Sequence, residues 1–241
     1  MKRILLYSLI TWIAGFALDA APLPSVGEVA KLGRIGGIEI EVAVQSPSTQ
    51  DTPLQIICLF EYTEGDIFIS PPALPKELNG MVHVDEALKG LITNLRRTNR
   101  FEGKLLETLL IIPPSGSIAA KKLLLIGLGN RKDFNANIMR LVGVVGMREA
   151  LRMGVSSYSH ASDIKDAGID SPTGEVTGNV IKGAIEAFLT QSFLKKRQAS
   201  APLTVTKVTL LSGPAYFEDS QKGIIKVIDF YQKDLSSKDL R

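Results

Sequence analysis

Gly127-Leu128-Gly129-Asn130 closes an apolar run, Leu123 to Ile126, and opens a segment with helical spacing. Strand, glycine turn, helix is how many phosphate-binding loops are built, because backbone N–H groups at a helix start attract anions. A dinucleotide fingerprint needs a third glycine three residues after the second, where it lets helix and strand pack closely. Lys132 stands there, and no G-x-x-x-x-G-K-[ST] loop occurs anywhere. Gly127, Leu128, Gly129 and Asn130 therefore read first as a turn that needs backbone freedom, with Asn130 tolerant of left-handed geometry. Second, they are the candidate ligand-binding loop, for a nucleotide-like or anionic compound.

Other chemistry-bearing residues converge less well. His160, Asp163 and Asp166 are spaced like metal ligands, but zinc sites bring three or four well-placed donors. The reading is a solvated loop, and no metal is expected. His83, Asp85 and Glu86 sit at an expected helix start, where acids complement the helix dipole. No Gly-x-Ser-x-Gly elbow surrounds a serine, and Ser115 lies in a PPSGS turn. No catalytic residue and no cofactor is expected. Lys195-Lys196-Arg197, with Lys182 earlier on the same helix, reads as a solvated helix end, with an acidic partner as the alternative. Arg96, Arg97 and Arg100 read the same way. Neither cluster is interleaved with aromatic residues and the net charge is only +3, so nucleic acid is not an expected partner.

The elements that must hold these residues follow from periodicity. IEIEVAVQ (38–45) alternates apolar and polar residues, the pattern of a half-buried strand. LQIICLFEY (54–62) is continuously apolar and predicts a central strand with Cys58 buried in it. Helical spacing predicts one helix over 84–97, with Asp85 and Glu86 in its first turn. Strands follow at 107–114 and 121–127, a helix over 134–153, a short strand at 154–160, a helix over 173–198, a strand at 203–212 and a helix over 215–232. Strands alternating with helices predict an α/β three-layer sandwich, a central mixed sheet with helices on both faces.

The composition is that of a globular chain: 241 residues, 45% hydrophobic and 22% charged, with one cysteine. One cysteine makes no internal disulfide. Lys2 and Arg3 precede an uncharged stretch, Ile4 to Leu18, that ends in Asp19-Ala20-Ala21-Pro22. This is the pattern of a signal peptide over residues 1–20, with a periplasmic or secreted protein and no membrane span once it is removed. An uncleaved anchor is the alternative. Residues 21–34 read as a lead-in, 35–233 as one domain and 234–241 as a polar tail.

The stretch FEGKLLETLLIIPPSGSIAAKKLLLIGLGNRKDFNANIMRLVGVVGMREALRMG (101–154) resembles the N-terminal domain of leucyl (cytosol) aminopeptidases, the M17 peptidases. The family pattern F-x-G-K-x-x-E is met by Phe101, Gly103, Lys104 and Glu107, and the strand ending G-L-G by Gly127-Leu128-Gly129. GEVTGNVIKGAIEAF (174–188) and the TKVTLLSG strand resemble later segments of that domain. The resemblance implies a macro-domain-like fold and a domain that does not catalyse. The N-T-D-A-E-G-R-L motif of the catalytic half is not in this sequence. The expected function is an exported, non-catalytic interaction or assembly module, self-associating or docking on another protein. A small-ligand binding domain using Gly127–Asn130 is the alternative. Macro domains bind ADP-ribose, but fold alone does not carry function.

Overall fold

The structure is a computed structural model; it describes residues 22–66, 73–162, 164–200 and 202–238. The segment read as a signal peptide, residues 1–20, lies outside the described residues. The elements run β1 (Val29–Ile35), β2 (Ile38–Val44), β3 (Gln55–Leu59), α1 (Gly80–Ala87), α2 (Leu91–Arg97), β4 (Thr108–Ile111), β5 (Leu123–Gly127), α3 (Ile138–Arg152), β6 (Ser157–Ser162), α4 (Thr173–Lys196), β7 (Lys207–Ser212) and α5 (Phe217–Lys238). Short 3-10 turns precede α1, α3 and α5.

One seven-stranded sheet has the order β1-β2-β7-β6-β3-β5-β4. The five strands from β2 to β5 run parallel, and the two edge strands, β1 and β4, run antiparallel to their neighbours. Side chains of β3 alternate between two cores. Ile56 and Cys58, with Phe60 just past the strand, pack with α3, α4 and α5, whereas Ile57 and Leu59 pack with α1 and α2. The expected three-layer sandwich is the observed one. Cys58 is fully buried in it.

Some expectations change for physical reasons. Edge strand β1 takes in residues 29–34 of the segment read as lead-in; a bulge between Lys31 and Gly33 breaks its alternation and hides the strand period. Strand β2 is covered on both faces: Glu41 is buried, accepting from Thr209 Oγ1 at 2.6 Å with Lys207 Nζ at 3.1 Å. The single helix expected over 84–97 is two, broken where Lys89 and Gly90 take φ of 56° and 77°. Asp85 is then not in a first turn: its carboxylate accepts from Ile92 N (2.8 Å) and Thr93 N (3.2 Å), capping the second helix. Helix α5 runs on to Lys238, through part of the segment read as tail.

Candidate functional site

The glycine turn is a structural seam. Phe101 is fully buried and anchors the loop that follows it. The Glu107 carboxylate accepts from Glu102 N (3.0 Å) and Lys104 N (3.1 Å), which closes this loop on itself. The closed loop is then stitched to the end of β5. Gly129 N donates to Gly103 O (2.9 Å), Leu106 N to Gly127 O (2.9 Å) and Gly127 N to Glu107 O (2.8 Å). A side chain at Gly127 would run into the Lys104 carbonyl, and one at Gly103 would lie 2.5 Å from Phe60 O. Leu128 is buried, and Asn130 Oδ1 accepts from Lys132 N at 3.0 Å. The space beside these glycines is thus filled by backbone. The motif residues Phe101, Gly103, Lys104, Glu107, Gly127 and Gly129 form one contact.

A cavity lies elsewhere, at the ends of the central strands. Strands β2, β7 and β6 run parallel and end side by side at Val44, Ser212 and Ser162. A cleft of about 390 Å³ opens just beyond them, the size of a small-molecule site. Carboxyl ends of parallel strands are where open α/β sheets take ligands, because the loops there diverge to opposite faces. His160, Ala161, Leu210 and Leu211 line it from the strands, Met81 and His83 from α1, Val176 and Thr177 from α4. Tyr216 and Ser220 close the remaining side. None of Gly127, Leu128, Gly129 and Asn130 is among its lining residues.

Asp166 and Lys165, with Glu77 on the same lining, give it its polar part. Asp166 Oδ2 accepts from Met81 N at 3.1 Å, at the start of α1. Burial raises its carboxyl to about 6, against backbone hydrogen bonds from Met81 and Gly80 and the charge of His83. Lys165 Nζ donates to Ser171 O at 2.7 Å and sits 5.5 Å from the centre of the Tyr216 ring.

His160, expected in a solvated loop, is instead on β6 and 2% exposed. Its Nε2 lies 3.6 Å from Cys58 Sγ. Burial lowers it to about 4, so the ring is neutral at physiological pH. An imidazolium is what would hold a thiolate beside it, and none is present. Asp163 lies outside the described residues, and among the described residues no three His, Cys, Asp or Glu side chains are grouped to hold a metal.

Arg96 overturns a second expectation. It is fully buried, not part of a solvated helix end. Its Nη1 donates to Asp66 Oδ1 at 2.8 Å, and its Nη2 donates to Asp66 Oδ2 and Phe60 O. Arg131 Nη2 donates to Asp66 O at 3.2 Å. This cluster ties the loop after β3 to α2 and to the turn after β5. Lys195, Lys196 and Arg197 are exposed at the end of α4, as expected.

Strand order and helix placement define an α/β domain of macrodomain type. The Oceanobacillus iheyensis macrodomain with MES bound superposes with a TM-score of 0.53 at 15% identity, covering 84% of this chain and 98% of that one. Its ADP-bound form gives 0.52 at 14% identity, over 86% and 98%. Within that class, residues 72–189 match the family described as the cytosol aminopeptidase family, N-terminal domain. The resemblance carried by Phe101, Gly103, Lys104, Glu107 and the glycine turn is borne out. A probable cytosol aminopeptidase of Thermosynechococcus vestitus is 35% identical over 101 residues, 41% of this chain and 18% of that protein. A tomato leucine aminopeptidase mutant superposes with a TM-score of 0.57 at 17% identity, over 80% of this chain and 37% of that one.

Proposed function

We propose that this chain is a non-catalytic binding domain whose cleft beyond β2, β6 and β7 takes a small, nucleotide-like molecule. The cleft carries the reading: it is large enough for such a ligand and lies where parallel sheets take them. The Oceanobacillus iheyensis macrodomain, which shares this fold, holds ADP. The apolar strand ends and the Tyr216 ring suit a flat heteroaromatic body, and Lys165 supplies a cation. The same Gly127–Asn130 turn proposed from the sequence would then serve the fold and not the ligand.

Titration calorimetry of the full chain with ADP and ADP-ribose tests this. We expect saturable binding that Ser212→Trp, which fills the cleft mouth, abolishes without changing the melting temperature. No saturable heat with either compound overturns the proposal.

A second reading, an interaction module, is favoured by the β4 edge. The Glu107–Gly127 bond fixes the register so that the backbone groups of Thr108 and Leu110 point away from β5. Leu110 is 39% exposed and Ile112, just beyond the strand, 65%. Uncharged edges of this kind invite strand pairing. Light scattering that finds a monomer at every concentration removes self-association. Export is part of the proposal too, since Lys2, Arg3 and the uncharged run after them have the signal-peptide pattern. Sequencing the mature N-terminus tests cleavage after Ala20.

A further inference from the structure

The two edges of the sheet are finished differently. At β1 a bulge between Lys31 and Gly33 interrupts the ladder. Lys31 and Arg34 stand in solvent there, with side chains 72% and 70% exposed, both reaching to Glu39. Bulges and charges of this kind keep a second strand off an edge. Strand β4 has neither. From Thr108 to Ile112 it carries no charge, and its pairing with β5 has no register shift. The nearest charge in the chain, Glu107, turns back on the amides of Glu102 and Lys104.

The free side of β4 has a defined pattern. Leu109 and Ile111 turn their backbone groups to β5, so those of Thr108, Leu110 and Ile112 face outward. Ile112 is held extended by Pro113 after it. Among the described residues, β5 is the one strand that pairs with β4. The side chains of the same three outward residues share one face of the sheet, and all three are exposed.

We propose that β4 of one copy pairs antiparallel with β4 of a second copy about a two-fold axis at Leu110, so that a single sheet runs through both. This rests on the self-association reading and gives it a surface and a register. A two-fold interface puts the same patch of both copies together, so its groups must match themselves. Those of Thr108, Leu110 and Ile112 do. Leu110 of each copy donates its N–H to the Leu110 carbonyl of the other, and Thr108 exchanges the same two bonds with Ile112. Every outward donor and acceptor is then used. Other registers fail. Sliding one copy by two residues sets Ile112 against Leu106, whose N–H already goes to Gly127 O. Sliding it the other way sets Thr108 against Pro114, which has no N–H. The side chains obey the same symmetry: Leu110 packs on Leu110 and Thr108 on Ile112, and no like charges oppose one another. Strands β5 and β3 separate β4 from β6, β7 and β2, so the cleft of each copy stays open.

Sedimentation equilibrium of the full chain tests the pairing. A short edge makes a small interface, so the dimer should form between about 10 μM and about 1 mM. Leu110→Lys sets like charges opposite each other at the axis, and Leu110→Glu does the same with the other sign. Each variant alone should weaken the dimer at least about tenfold, and an equimolar mixture of the two should associate again. Leu110→Pro removes only an outward donor, because the bonds to β5 belong to Leu109 and Ile111, and edge strands accept proline there. It should also be monomeric. A wild-type chain that stays monomeric through this range overturns the pairing and the self-association reading together. A wild-type dimer that the three variants leave intact, or charge variants that do not recombine when mixed, overturns the β4 pairing and leaves self-association to another surface.

Discussion

Gly127 and Gly90 separate two reasons for a glycine. A methyl group at Gly127 would overlap the Lys104 carbonyl and lie 2.6 Å from Gly103 C. Backbone cannot yield there, because three hydrogen bonds lock the two segments together. At Gly90 nothing lies within 4 Å of the missing methyl, and only the φ of +77° resists a side chain. Gly127→Ala should therefore cost about 3 kcal/mol, as overpacking does. Gly90→Ala should cost about 1 kcal/mol, the strain of left-handed backbone. Urea unfolding of the two variants checks the contrast. Equal and small losses would mean that the seam between residues 103–107 and 127–129 is looser than its contacts show.

At the scale of elements, the break between α1 and α2 is set by a side chain reaching forward seven residues. Asp85 is fully buried and accepts two backbone N–H groups and the Thr93 hydroxyl. Asp85→Ala removes an N-cap and leaves those donors unsatisfied, so α2 should lose about 2 kcal/mol. Exchange at Ile92 and Thr93 should accelerate before that of α3 does; uniform acceleration across the chain would contradict a local cap. This break was not legible in the sequence. The apolar positions Leu88, Leu91, Ile92 and Leu95 keep helical spacing across it, and Lys89 is no conventional turn residue. The central strands were legible because burial on both faces demands continuous apolar runs, as in Leu123–Gly127. The edge strand β1 was not, because its bulge shifts the period. Arg96 looked like its exposed neighbour Arg97 because its partner, Asp66, is 30 residues away. The cleft was hidden for the same reason: residues from Val26 to Ser220 line it, in separate segments with no shared motif. The glycine turn was visible but carries the fold instead of the cleft.

For the molecule as a whole, two groups shifted in opposite directions by burial meet at the same cleft. His160 is lowered from 6.5 to about 4, so the folded state resists protonating it. Its contribution is present above pH 6.5 and is lost as pH falls toward 4. Asp166 is raised from 3.8 to about 6, so the folded state prefers its neutral form. Its contribution is present below 3.8 and is lost as pH rises toward 6. Each swing is on the order of 3 kcal/mol, and over the shared interval the two oppose one another. The wild-type urea midpoint should thus change little between about pH 6 and about pH 4.5, apart from the background of the other carboxylates. His160→Gln removes the acid-labile half, so its midpoint should rise on acidification relative to wild type. Asp166→Asn removes the other half, and its midpoint should fall. Each variant is compared with wild type at the same pH, so the shared background cancels. Parallel curves for all three proteins would show that neither group titrates with folding. Opposite slopes would show that the floor and the rim of the cleft are held in balance by one buried base and one buried acid.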